Sequence, residues 1–306
     1  MIHPGSVETH TAAELLAHAR PRRLTLAERG IDIALLDWGG DGPLALLHHA
    51  NGFCKGAWGL VATLLRPHFR VVAMDGRGHG DSSKPSDPGA YEWHHFAEDV
   101  IAVATTLAEE AGSGNVALGI GHSFGGTSMM TAAARRPDLF DKLLLVDPVT
   151  PPPPAAAPPP GRPDYIRRLV EGACDRRAIW PSRAEARAHL GERSLFAACD
   201  PRALDLYVLD GLREREDGSV ELKCAGATEA AIFAGSSNVD VFAIAREVVT
   251  PTLFLWAAHG DFPRPVYETL AASMPHGHVE TVDTGHLIPL ERPDLVAQAA
   301  QKIAAP

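Results

Sequence analysis

One stretch of this 306-residue chain constrains its fold more than any other: Gly119-Ile120-Gly121-His122-Ser123-Phe124-Gly125-Gly126. An apolar, strand-like segment from Asn115 to Ile120 leads into it, and small helix-forming residues from Thr127 to Arg135 follow. Within it, Gly121-His122-Ser123-Phe124-Gly125 is a G-x-S-x-G between a strand and a helix, the pattern of a nucleophile elbow. Such a turn is sharp and strained, and a Cβ at either glycine would obstruct the close passage of two backbones. Ser123 is then expected at the tip, its Oγ exposed above the positive end of the helix dipole.

The surrounding pattern suits such a turn. Leu24 to Ala27 and Ile31 to Trp38 read as a hairpin, Leu44 to Leu47 and Arg70 to Met74 as buried strands, and Lys142 to Val146 as another. Helices are expected from Trp58 to Leu65 and from Glu92 to Ala111, the latter with Val100, Val103 and Leu107 on one face. Residues 1 to 21 are polar, with a short helix around Ala12 to Ala19, and are expected at the surface. Strands alternating with helices argue for an α/β protein with a mostly parallel sheet.

The alternation stops at Pro148. Pro151 to Pro163 is rich in Pro and Ala and reads as a stiff linker. Helices are expected at Tyr165 to Ala173, Arg183 to His189, Arg202 to Leu212 and Glu229 to Ala234, with a turn at Asp217-Gly218. The sheet pattern resumes with a strand at Thr252 to Ala257, a helix at Val266 to Met274, a strand at His278 to Val282 and a helix at Pro293 to Ala304. We therefore read a core of residues 1–147 and 244–306 and an inserted, mainly helical cap of residues 148–243.

Composition narrows the function classes. A net charge of -10 argues against nucleic acid as a partner, because phosphates call for a basic face. No apolar run approaches the roughly 18 residues of a membrane helix, and Met1 to Pro21 holds no signal-like apolar run. Four scattered cysteines without C-x-x-C spacing suit a reducing compartment. A soluble, cytoplasmic protein acting on a small molecule is the expectation, its oligomeric state open.

A serine hydroxyl becomes a competent nucleophile when a base takes its proton. Among fifteen histidines, His286 follows the last strand in Thr284-Gly285-His286-Leu287, at the carboxyl edge where sites of open α/β sheets gather. A carboxylate should orient that histidine. Asp261, just past the strand Thr252 to Ala257, and Asp147, at the end of Lys142 to Val146, both satisfy a Ser-acid-His order. Order does not choose between them.

Three motifs carry a resemblance: the elbow, the loop Asp75-Gly76-Arg77-Gly78-His79-Gly80-Asp81-Ser82, and the ending Gly285-His286-Leu287-Ile288-Pro289-Leu290-Glu291-Arg292-Pro293. With these the chain resembles the α/β-hydrolase fold superfamily, specifically its capped, esterase-like serine hydrolases. The resemblance implies an α/β-hydrolase core with an inserted cap, His286 as base, and Asp261 as acid, since the acid usually follows the strand after the cap. It also implies an oxyanion hole built from the backbone N–H of Phe124 and one from the loop after Leu44 to Leu47. Relatives usually carry His-Gly there, whereas this chain has His49-Ala50-Asn51-Gly52-Phe53. The second donor is assigned to the Asn51 N–H, with Gly52 and Phe53 as rivals.

Phe53, Trp58, His122, Phe262 and Leu287 are the expected pocket residues, with Trp180, Phe196, Tyr207 and Phe233 in the cap. His48-His49 and His94-His95 lack a matching carboxylate or cysteine at ligand spacing, so no metal is expected. Asp75 to Gly80 lacks the Lys-Ser/Thr of a phosphate loop, and Cys54 reads as a packed side chain. The expectation is hydrolysis of a carboxylic ester of a small to medium, largely apolar substrate, without cofactor. Lactone, amide or C–C bond hydrolysis and perhydrolysis are the same-class alternatives, and a ligand receptor with little turnover is the alternative from another class.

Overall fold

The computed structural model describes residues 10–151 and 162–305. Its spine is a sheet in the order β1-β2-β4-β3-β5-β6-β10-β11. The first half contributes β1 (Arg20–Leu26), β2 (Ile31–Gly39), β3 (Leu44–His48), β4 (Arg70–Met74), β5 (Leu118–His122) and β6 (Leu143–Val146). The last part contributes β10 (Thr252–Ala257) and β11 (Gly277–Val282). β1 and β2 are antiparallel, β2 meets β4 antiparallel, and the six strands from β4 across to β11 run parallel.

Alternation along each strand feeds two cores, because successive side chains point to opposite faces. On β3, Leu44 and Leu46 join one cluster with Val100, Val103 and Leu107, while Ala45 and Leu47 join the other with Val61 and Leu65. The first face is covered by α3 (Trp93–Ala111), α4 (Phe124–Arg135), α9 (Val241–Glu247) and α10 (Arg264–Ala272). The second is covered by α2 (Gly59–Leu65) and α12 (Pro293–Ala304). Burial on both faces is why these strands read as continuous apolar runs.

The N-terminal segment is less superficial than its polarity suggests. α1 (Ala12–Ala17) is closed by a Thr11–Glu14 capping box and buries Ala12 and Leu15.

Between β6 and β10 the chain leaves the sheet. The expected proline-rich linker falls largely outside the described residues. The insertion then holds α5 (Arg162–Asp175), α6 (Arg183–Gly191), α7 (Pro201–Gly211) and α8 (Gly226–Gly235). It also holds a small antiparallel sheet, absent from the sequence expectation, of β7 (Ile179–Trp180), β8 (Leu212–Glu214) and β9 (Val220–Leu222), in the order β7-β9-β8. Two- and three-residue strands are too short for a readable period. Trp180, Leu204, Leu206 and Tyr207 share a cluster with Ala50, Phe53 and Cys54 of the loop after β3, and with Leu290 of α11 (Ile288–Glu291).

Candidate active site

β5 delivers Ser123 to the carboxyl edge of the sheet. The serine adopts φ 55° and ψ −122°, a strained conformation for a residue with a side chain. The glycines behave as the motif demands. A Cβ on Gly121 would come within 2.5 Å of Gly125 O, and one on Gly125 within 2.5 Å of both His48 O and His49 O.

Ser123 Oγ lies 2.9 Å from His286 Nε2, and His286 Nδ1 lies 2.6 Å from Asp147 Oδ2. Asp147, not Asp261, is therefore the carboxylate at the histidine, which corrects the sequence expectation. Asp147 follows β6 directly, beside both β5 and β10, and is fully buried. Its other oxygen accepts from Ala257 N–H at 3.1 Å and lies 3.1 Å from the Tyr267 hydroxyl, which also reaches Pro148 O at 2.8 Å. Burial, then the neighbouring Asp147, pushes the Tyr267 hydroxyl well above its ordinary value, keeping it a neutral donor. The loop after β10 passes over this carboxylate at Gly260, where a Cβ would sit 2.9 Å from Asp147 Oδ2. One residue later Asp261 is exposed, with Tyr165 Oη 3.4 Å from its Oδ2.

The second expected donor rests on a set of neutral histidines. His79 Nδ1–H donates to Arg77 O at 3.0 Å, so its Nε2 accepts from Gly52 N–H at 3.0 Å. His49 likewise donates from Nδ1 to Ala50 O at 2.7 Å and accepts at Nε2 from Gly76 N–H at 3.0 Å. Burial holds His48 and His79 down at about 3 and His49 well below the usual histidine value. Phe53 N–H is spent on Ala50 O at 3.1 Å. Of the three rival amides, Gly52 and Phe53 are thus occupied, and the Asn51 N–H meets no hydrogen-bond acceptor among the described residues. The Phe124 N–H opens α4 and has no intrahelical acceptor. The Asp75 to Gly80 loop, which carries His79 and Gly76, is therefore the brace of the Asn51 loop.

A cavity of about 710 Å³ opens over Ser123 and His286. Phe53, Phe262 and Leu287 line it as expected, and so do Asn51 and Phe124. Trp58 and His122 do not belong to its lining. Trp58 packs into the core against α2, and His122 is turned away, donating from Nε2 to His286 O at 2.8 Å. His122 thus ties down the loop that carries His286. The aromatics expected in a cap divide similarly: Phe196, Tyr207 and Phe233 reach the cavity, while Trp180 is buried elsewhere. Sequence reasoning missed Trp93, Val149, Tyr165, Arg176 and Glu229, all of which line it. Trp93 opens α3 of the core and the others belong to the stretch after β6, and helical periodicity does not tell which of these positions face a cavity.

The elbow with its glycines, the Ser123–His286–Asp147 chain and the parallel sheet that positions them meet the family that the sequence matches. Residues 45–299 match the model of the alpha/beta hydrolase family. The chain belongs to this family. It is 36% identical over 123 residues to a bifunctional esterase/perhydrolase of Acinetobacter calcoaceticus, covering 39% of this chain and 42% of that one. It is 35% identical over 108 residues to a 2-(acetamidomethylene)succinate hydrolase of Mesorhizobium japonicum, covering 35% of this chain and 36% of that one. The chain thus spans less than half the length of these curated relatives. Among solved structures, E-2-(acetamidomethylene)succinate hydrolase superposes with TM-score 0.79 at 22% identity, over 94% of this chain and 99% of that one. The enol-lactonase of Burkholderia xenovorans superposes with TM-score 0.69 at 19% identity, over 92% and 99%. At such identities the likeness is one of fold.

All four cysteines are free, and burial pushes Cys54 well above the ordinary thiol value and Cys199 and Cys224 up to about 12, which disfavours the reactive thiolate. His94 and His95 do find a carboxylate, contrary to the sequence expectation: Glu98, one helical turn on, brings its ligand atom within 4.8 Å of theirs. Both Glu98 oxygens already meet guanidinium groups, Arg29 at 2.8 Å and Arg135 at 3.3 Å. No helix among the described residues is long and apolar enough to cross a membrane.

Proposed function

We propose that this chain is a serine hydrolase that cleaves a carboxylic ester of a small to medium, largely apolar substrate through an acyl-enzyme. The observation that carries the reading is the continuous Ser123–His286–Asp147 hydrogen-bond chain opening onto the cavity. His286 Nε2 takes the Ser123 proton as Oγ attacks the carbonyl carbon, and the carbonyl oxygen becomes the oxyanion facing the Phe124 and Asn51 N–H groups. His286 then protonates the leaving alkoxide. Water, deprotonated by the same nitrogen, attacks the acyl-enzyme and returns Ser123. Asp147 holds Nδ1–H throughout and stabilises the imidazolium. The insertion acts as a cap that roofs the cavity and selects among substrates.

Perhydrolysis is the second reading, favoured by the name of the Acinetobacter relative. Hydrogen peroxide would replace water on the same acyl-enzyme, giving a peracid and free Ser123.

A panel of 4-nitrophenyl esters of increasing acyl length tests the reading by stopped flow. An initial nitrophenolate burst stoichiometric with protein is expected, and Ser123→Ala should lose about 10⁴-fold or more in kcat. Substantial residual turnover in that variant would remove Ser123 from the reaction. Stoichiometric, reversible binding of ester without turnover would favour a receptor instead.

A further inference from the structure

Of the charged side chains that line the cavity, Arg168, Asp175, Arg177, Arg193 and Asp261 are exposed, whereas Arg176 and Glu229 are largely buried in its wall. Arg176, on the segment after α5, and Glu229, on α8, both line it, with Arg176 Nη1 2.7 Å from Glu229 Oε2. Their side chains are 22% and 13% exposed, so a small part of each remains for a ligand to meet. The pair is costly, because taking two ions out of water is repaid only by excellent geometry and further hydrogen bonds. That repayment is incomplete here. Nη2 donates to Cys224 O at 2.8 Å, yet Arg176 Nε and Glu229 Oε2 lack a directed hydrogen bond among the described residues.

The pair also borders the loop assigned to the oxyanion. Asn51 Nδ2 donates to Glu229 O at 3.0 Å, and a Cβ on Gly52 would fall 2.7 Å from Glu229 Oε1. The Tyr207 hydroxyl, beside the guanidinium, donates to Gly52 O at 3.1 Å. A group held by Arg176 and Glu229 therefore lies a short span from the reacting carbonyl.

We infer that Arg176 and Glu229 form a subsite for a neutral amide carried by the substrate, its C=O accepting from Arg176 and its N–H donating to Glu229. The inference rests on the ester-hydrolase reading and specifies its substrate. Charge balance selects a neutral group. The pair already sums to zero and the other charged lining residues are exposed to water, so a ligand carboxylate or ammonium held at this largely buried pair would leave one uncompensated charge there. Geometry selects the amide over a hydroxyl, because donor and acceptor belong to different side chains and call for complementary groups on different ligand atoms.

The test compares kcat/KM by pH-stat on two matched ester sets. On the acyl side these are methyl N-acetylglycinate, methyl 4-methylpentanoate and monomethyl glutarate. On the alcohol side they are 2-acetamidoethyl acetate and 4-methylpentyl acetate. Wild type should prefer the amide over its hydrocarbon counterpart by about tenfold or more in one set. Arg176→Met/Glu229→Met, which removes both charges at similar volume, should erase or invert that preference while still cleaving the hydrocarbon ester. A hydrocarbon preference in both sets, a preference for monomethyl glutarate, or an amide preference that survives in the double variant would overturn the subsite. The wild-type ratios decide even where the variant is unstable. Failure to cleave any of these esters would instead tell against the hydrolase reading itself.

Discussion

At the residue scale the decisive side chain is Asp147. It has a positive φ of 40° and is oriented by Ala257 N–H and Tyr267 before His286 reaches it. Asp147→Asn should lower kcat by about 10⁴-fold, because an amide at this position stabilises the wrong imidazole tautomer and cannot stabilise imidazolium. Asp261→Asn should change kcat less than threefold, its carboxylate being exposed at the cavity rim and partnered by Tyr165, with His286 Nδ1 held by Asp147 instead. Steady-state kinetics on one ester separates them; the reverse pattern would return the acid role to Asp261. The sequence offered both because each acid follows a strand in the same part of the fold. What chooses is the packing of β6 against β10 and the bare Gly260 above Asp147, neither of which leaves a mark in residue order.

Among the elements, the sheet strands and the four helices of the insertion were legible, and the small β7-β9-β8 sheet and the cavity-lining positions of the insertion were not. β4 and β10 match their sequence expectations residue for residue, since strands buried on both faces write continuous apolar runs. The insertion buries its side chains partly against the Asn51 loop and partly around a cavity, and a helical period does not tell which apolar position does which. Its attachment runs through Lys55, a lysine 3% exposed at its side chain whose Nζ reaches Asp75 at 2.8 Å, Asp81 at 2.8 Å and Asp210 of α7 at 3.1 Å. Burial alone would weaken the ammonium, but Asp75, Asp210 and Asp81 hold its pKa above the ordinary lysine value. Asp210 also accepts from Gly56 N–H at 2.9 Å, fastening α7 to the segment that follows Asn51. Lys55→Met should destabilise the fold by about 3–5 kcal/mol, because it strands the buried Asp75 carboxylate. Asp210→Asn, on a partner that is partly exposed, should cost less. Urea unfolding midpoints rank the two; equal and small losses would show that the cluster is dispensable.

For the molecule as a whole, the buried histidines tie stability to pH. His48 and His79 are held at about 3 and His49 and His122 well below the usual value, burial being the first cause for each. In the unfolded chain each returns to about 6.5 and binds a proton that the folded state refuses. Stability should therefore be full above that value and fall as pH drops from about 6.5 toward 3. Between pH 7 and 5.5 each histidine contributes a loss of about 1 kcal/mol. Urea unfolding at these two pH values, where carboxylates remain ionised, should show the fall; stability flat or rising toward pH 5.5 would mean that these rings are charged in the fold.

We propose that Ser123, activated by His286 and Asp147, is the nucleophile of this fold. A 4-nitrophenyl alkylphosphonate tests it without knowledge of the natural substrate, since phosphonylation forms a bond to the activated oxygen and expels nitrophenolate. Peptide mapping of the inactivated protein should place one adduct on Ser123, absent in Ser123→Ala and formed far more slowly in Asp147→Asn. An adduct on another residue, or esterase activity that persists with Ser123 fully phosphonylated, would show that Ser123 is not the nucleophile.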